Sequence, residues 1–243
     1  MQSGIDFDFR QARAIVTGGT SGIGQATAKA LMQAGASVLV TGTAPSADAY
    51  GNGVSGFEYQ CLELGSKASI REFIDSVEAV DILVNNAGHI MPGSSFAEVV
   101  QVNLNAVYEM SAGLQPALKR SSLPGGAAIV NIASMMSYFG SPHLPGYGAA
   151  KAGIVQLTKT LAASWAQDGI RVNAVAAGSV LTSMTAAYAG DPHWAKVVCD
   201  KTPLGRWAQP EEIATPILYL CSAGSSFITG QTLVVDGGYS IID

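Results

Sequence analysis

Tyr147 and Lys151, at the two ends of Tyr147-Gly148-Ala149-Ala150-Lys151, put a phenol and an ammonium four residues apart. On a helix both project from one face, one turn from each other. A free tyrosine titrates near about 10 and a free lysine near about 10.4, so neither alone is poised for proton transfer at neutral pH. A cation held against a phenol favours phenolate, which predicts a lowered pKa for Tyr147 and a role as general acid/base. Standing alone, such a pair is more often a buried ring beside a solvated amine. The elements around the pair have to decide.

Residues 13–17 (RAIVT) form a short apolar run that feeds Gly18-Gly19-Thr20-Ser21-Gly22-Ile23-Gly24. An Ala-rich helical segment, 25–34, follows and stops at Gly35. Strand, glycine turn and helix make a phosphate cradle: glycines allow close backbone approach, and the helix N-terminus offers free N–H groups. The spacing, T-G-x-x-x-G-x-G from Thr17 to Gly24, differs from the commoner G-x-G-x-x-G.

Further strands are expected at 37–41, within 57–64, at 81–84, at 127–133, at 170–176 and at 232–235. Helical patterns occupy 66–79 (Ser66 as N-cap), 95–119, 147–167 and 210–222. The loop from Gly42 to Gly56 is polar and turn-rich, and 178 to about 208 reads as irregular. Alternating strands and helices predict an α/β fold, a doubly wound, Rossmann-like parallel sheet of about seven strands with helices on both faces. One domain over 1–243 accounts for the chain, because no repeat or linker interrupts it. In such sheets ligands bind beyond the strands' carboxyl ends. The glycine turn, Asn85-Asn86-Ala87-Gly88, Ser134 and Gly178 all follow strands, so they share one rim, and Tyr147 can reach it.

The totals exclude other classes. A charged share of 13% against 48% hydrophobic argues for a large buried core. With net charge −5 and no Lys/Arg run, neither nucleic acid nor a membrane surface is an expected partner. The N-terminus lacks the apolar core of a signal peptide and no stretch reads as a membrane span. Three scattered cysteines give no disulfide framework and no metal-ligand spacing, so reduced thiols in a cytoplasmic protein are expected and no metal.

With TGGTSGIG at 17–24, NNAG at 85–88, VNL at 102–104, NIAS at 131–134, YGAAK at 147–151 and VDGG at 235–238, the chain resembles the short-chain dehydrogenase/reductase (SDR) family along nearly its whole length. The resemblance implies an NAD(P)-dependent interconversion of a secondary alcohol and a ketone. Tyr147 would be the proton donor or base, Lys151 would depress its pKa and bind the nicotinamide ribose, Ser134 would bind the substrate oxygen, and Asn103 would support a proton relay. Cofactor contacts would fall on Gly18, Thr20, Ser21, Gly22, Ile23, Gly24, Gly42, Thr43, Glu63, Leu64, Asn86, Ala87, Gly88, Tyr147, Lys151, Gly178, Val180 and Thr182. The family's Pro-Gly after the sixth strand is Ala177-Gly178 here, and the helices flanking the NNAG strand look short for the family. A homotetramer is also implied. The rival is a non-catalytic dinucleotide-binding scaffold on the same fold.

An enzyme preferring NAD usually carries Asp or Glu where this chain has Gly42, and one preferring NADP carries Arg or Lys near Thr43 or Ser21. No Lys or Arg occurs between Ala30 and Ser66, which leans the expectation to NAD(H). Substrate contacts are expected from Ser134, Met136, His143, Tyr147 and Tyr188. Further walls are expected from His89, Met91, Met135, Leu144, Val180 and the segment 182–205, which could close as a lid. A sugar acid or polyol is slightly favoured over a cyclic or aryl alcohol, and a 3-oxoacyl group belongs to the same set.

Overall fold

The computed structural model describes residues 6–90 and 93–242. Seven parallel strands lie in the order β3-β2-β1-β4-β5-β6-β7. They are β1 (Arg13–Val16), β2 (Ser37–Gly42), β3 (Glu58–Cys61), β4 (Ile82–Asn85), β5 (Ala127–Ser134), β6 (Ile170–Ala177) and β7 (Thr232–Val235). The central strands β5 and β6 are eight residues each and buried throughout, as a parallel sheet covered on both faces requires. Their alternation divides the core. Ala128, Val130 and Ile132 of β5 face one apolar cluster, and Ala127 and Ile129 face the other.

The first cluster is closed by α1 (Gly22–Gln33) and α8 (Pro210–Cys221), which pack on each other. The second is closed by α2 (Lys67–Ser76), α4 (Ala106–Leu118) and α5 (Pro145–Trp165). Ser66 caps α2 by accepting the Ser69 N–H, as expected. The order reverses direction between β1 and β4, and that switch point is where a crevice opens above the strand ends.

Two segments differ from expectation. The helical stretch 95–119 is interrupted: α3 (Phe96–Val100) passes through a π-helical turn, Gln101–Asn105, before α4 begins. Such insertions widen one turn and redirect a side chain, and here the side chain inside the turn is Asn103, fully buried. The stretch 178–208, expected to be irregular, contains α6 (Ala186–Gly190) and α7 (Pro192–Lys201). Pro192 occupies the first helical turn of α7, where a missing N–H costs nothing. Asp191 caps that helix by accepting the His193 and Trp194 N–H groups at 2.8 and 3.2 Å.

One buried cation ties the sheet to α8. Arg171 on β6 is 6% exposed and donates to the carbonyls of Gly125, Leu220, Cys221, Ser222 and Ser225, and to Ser225 Oγ. Helix carbonyls left without a partner at a C-terminus favour positive charge, and Arg171 supplies both the charge and the donors.

Candidate active site

The rim is held by polar side chains inside the sheet. Asn85 donates to Asn131 Oδ1 at 2.8 Å and Ser111 Oγ at 3.0 Å, and Asn131 donates to Thr158 Oγ1 at 3.0 Å. These bonds lock β4, β5, α4 and α5 together below the crevice. Thr17 Oγ1 accepts the N–H groups of Asn86 and Ala87, both at 3.0 Å. Asn86 returns two bonds to the Thr17 and Gly18 carbonyls, at 2.9 and 3.1 Å. Asn86 therefore fixes the shape of the glycine turn.

That turn is too tight for side chains. A Cβ on Gly24 would lie 2.4 Å from both Gly18 O and Asn86 Nδ2, and Gly18 and Gly22 take positive φ of 62° and 53°. The α1 N-terminus beyond it has no acidic residue in its first turn, and its N-cap, Ser21, makes no capping bond. Free N–H groups at the positive end of a twelve-residue helix suit a pyrophosphate. The residues present fit a dinucleotide.

Above the turn lies a cavity of about 460 Å³. It is lined by all four expected catalytic residues, Asn103, Ser134, Tyr147 and Lys151. Gly18, Thr20, Ser21, Gly22, Ile23, Gly42, Thr43, Glu63, Leu64, Asn86, Ala87, Gly88, Gly178, Val180 and Thr182 line it as well. Gly24 instead packs under the turn against Gly18 and Asn86. Of the expected substrate residues, only Ser134 and Tyr147 reach the cavity. Met136, His143 and Tyr188 lie outside its lining. His143 is exposed, and Tyr188 makes an edge contact with Trp194, centroids 6.1 Å apart. His89 and Val180 line the cavity as expected, Met135 and Leu144 do not, and Met91 falls outside the described residues.

Tyr147 sits in the first turn of α5, behind Pro145, and Lys151 follows one turn later. The Lys151 ammonium lies 5.5 Å from the Tyr147 ring centroid, within cation–π range. Lys151 is 4% exposed and donates to the Ile132 carbonyl at 2.6 Å. Burial pushes its pKa down to about 8. For Tyr147 burial is the larger influence and pushes the phenol up, while a hydrogen bond from Ser134 acts in the opposite direction. The expected lowering by the lysine is therefore not what this environment gives. Burial favours the neutral phenol over the phenolate.

Asn103 uses its amide on the carbonyls of His89 (3.0 Å) and Val99 (2.9 Å), which leaves its buried Oδ1 without a partner. A Cβ on Gly88 would come within 2.5 Å of that oxygen, so only glycine fits there. His89 Nδ1 is also buried and unpartnered, and burial pushes the His89 pKa down. Residues that sequence reasoning missed include Tyr50, Leu62 and Val102, whereas Ser183, Met184 and Thr185 belong to the segment 182–205 that was expected to wall the cavity. Tyr50 comes from a loop without periodicity, so no pattern marked it.

A sequence profile described as Enoyl-(Acyl carrier protein) reductase matches residues 18–240. The chain belongs to the short-chain dehydrogenase/reductase family. Among SDR relatives, a gluconate 5-dehydrogenase from Gluconobacter oxydans (strain 621H) is 36% identical, over 97% of each chain. An L-xylulose reductase from Mesocricetus auratus is 37% identical, over 98% of this chain and 100% of the relative. A gluconate 5-dehydrogenase from Burkholderia cenocepacia J2315, solved with NADP and tartrate, superposes with TM-score 0.87 at 30% identity over 98% of each chain. As an SDR enzyme the chain is an oxidoreductase that uses NAD(P).

Proposed function

We propose that the chain interconverts a secondary alcohol and a ketone, with Tyr147 as general acid/base, on a sugar acid or related polyol. The observation that supports it most is the convergence of Ser134, Tyr147 and Lys151 on one cavity above the glycine cradle. The nicotinamide supplies or accepts the hydride when it is bound. Everything else falls to side chains. Ser134 holds the substrate oxygen by hydrogen bonding, and Tyr147 gives that oxygen its proton during reduction. The remaining phenolate is stabilised by Ser134, by the Lys151 charge and by the α5 N-terminus. Asn103 holds the π-helical turn against the His89 backbone, which keeps the crevice in shape.

Lys151 and Tyr147 would also meet the nicotinamide ribose, and Gly178, Val180 and Thr182 the nicotinamide side. Ser183, Met184 and Thr185 continue that wall into α6 and α7, which supports a lid over 182–205. Relatives named for gluconate and L-xylulose support a substrate rich in hydroxyls. NAD(H) is favoured, because Lys151 is the one Lys or Arg lining the cavity among the described residues.

The test follows absorbance of reduced nicotinamide with NADH and NADPH over keto-sugar acids, L-xylulose, cyclic ketones and 3-oxoacyl esters. Turnover concentrated in the first two groups is expected. Turnover confined to acyl esters would contradict the substrate class, and no turnover anywhere would favour a dinucleotide-binding scaffold.

A homotetramer forms a further part of the proposal, in a cytoplasmic setting. Tyr108 on α4 and Phe227, Leu233 and Ile241 near the C-terminus are exposed apolar groups suited to cover by other copies. Sedimentation at micromolar concentration is expected to show four chains, and a monomer would contradict it.

A further inference from the structure

Gly42 closes β2 three strand spacings from Ser134 at the end of β5, about 14 Å across the sheet. Its lack of a side chain is enforced. A Cβ there would stand 2.5 Å from Tyr50 Oη and 2.8 Å from Thr20 Cγ2. The space that a strand-end carboxylate would need is therefore filled by the Tyr50 hydroxyl.

Tyr50 arrives from a 3-10 helical segment, Ala47–Val54, and is fixed from two sides. Its oxygen accepts the Ala44 N–H at 2.9 Å, which leaves its own proton available to donate. Tyr59 hydrogen-bonds the Ala44 carbonyl, and the two tyrosine rings pack 5.7 Å apart at 52°. The surrounding wall is Thr20, Thr41, Thr43, Leu62, Glu63 and Leu64, whose one charge is the Glu63 carboxylate. A phosphate dianion here would meet an anion and no guanidinium or ammonium, and charge-assisted bonds are the ones that hold phosphates.

We propose that Tyr50 reads the adenosine ribose of the cofactor, donating its phenol proton to a free 2′-hydroxyl and discriminating against a 2′-phosphate. The proposal rests on the dinucleotide reading of the cavity and extends it to a specificity residue that no β2-end motif marks. A site built to hydrogen-bond a hydroxyl discriminates strongly, because its polar group is left unmatched by the wrong partner.

Equilibrium titration of the purified protein with NADH and with NADPH, followed by calorimetry, tests it without turnover. NADH is expected to bind at least about tenfold more tightly than NADPH. Tyr50→Phe keeps the ring and is expected to weaken NADH about fivefold while leaving NADPH unchanged. Thr43→Arg, on an exposed position, is expected to tighten NADPH about tenfold with Tyr50 intact. Equal affinities in the wild type, tighter NADPH, or a Tyr50→Phe variant with the wild-type ratio would overturn the Tyr50 assignment and leave the catalytic reading standing. Binding of neither dinucleotide would overturn both.

Discussion

Tyr147→Phe is expected to lower kcat by about 10³-fold, the range in which a positioned general acid acts. Affinity for the reduced cofactor is expected to fall by no more than about fivefold, the share of one hydrogen bond to the nicotinamide ribose, because the rest of the interaction removed acts in the transition state. The variant keeps the ring, its place in the first turn of α5, and the Lys151 contact at 5.5 Å. It loses the hydroxyl that is proposed to hand a proton to a substrate oxygen held by Ser134. Calorimetry with NADH beside steady-state turnover separates the two effects. A packing role would lower binding and stability together and leave kcat largely intact. Wild-type turnover in the variant would remove Tyr147 from the chemistry.

Arg171→Leu is expected to destabilise the fold by about 3 kcal/mol, since it strips donors from a cluster of buried carbonyls. For a chain of this size that corresponds to a Tm lower by about 6–12 °C. The leucine fills much of the space but cannot satisfy the Leu220, Cys221 and Ser222 carbonyls at the end of α8. Arg171→Lys keeps the charge with fewer donors and is expected to fall between the two. Calorimetric melting of all three proteins checks the order, and a wild-type Tm in Arg171→Leu would show that water replaces the guanidinium without cost.

The sheet and the cradle were legible in the sequence because they obey local rules. Buried parallel strands read as apolar runs, and Gly18, Gly22 and Gly24 mark a turn where a Cβ has no room. Placing Ser134 and Tyr147 at one rim followed from strand ends that share it, whereas Asn103 and the role of Lys151 came from the family resemblance. What stayed hidden depends on tertiary packing. Tyr50 reaches Gly42 from eight residues along the chain, through a loop whose composition shows only turns. Met136 and His143 follow Ser134 closely in sequence, yet the capped turn at Met135–Ser137 buries Met135 and leaves the other two outside the cavity. The Tyr147 environment was also mistaken in sign. Spacing reveals the lysine, but only the fold shows how far the phenol is removed from water.

The raised phenol and the lysine held near about 8 set the expected pH behaviour. Reduction needs protonated Tyr147, so it is supported at neutral pH and falls as the phenol ionises. Oxidation needs the phenolate, so it rises with pH over the same range. Below about 8 Lys151 carries its charge beside the ring, and above it that support fades. The pH dependence of kcat/KM for alcohol oxidation, measured with the best alcohol of the panel for wild type and Tyr147→Phe side by side, tests proton transfer at Tyr147 most directly. The rate is expected to climb toward alkaline pH with the slope of a single proton in the wild type, and to be low and flat in the variant. The same climbing profile in both proteins would mean that another group carries the proton.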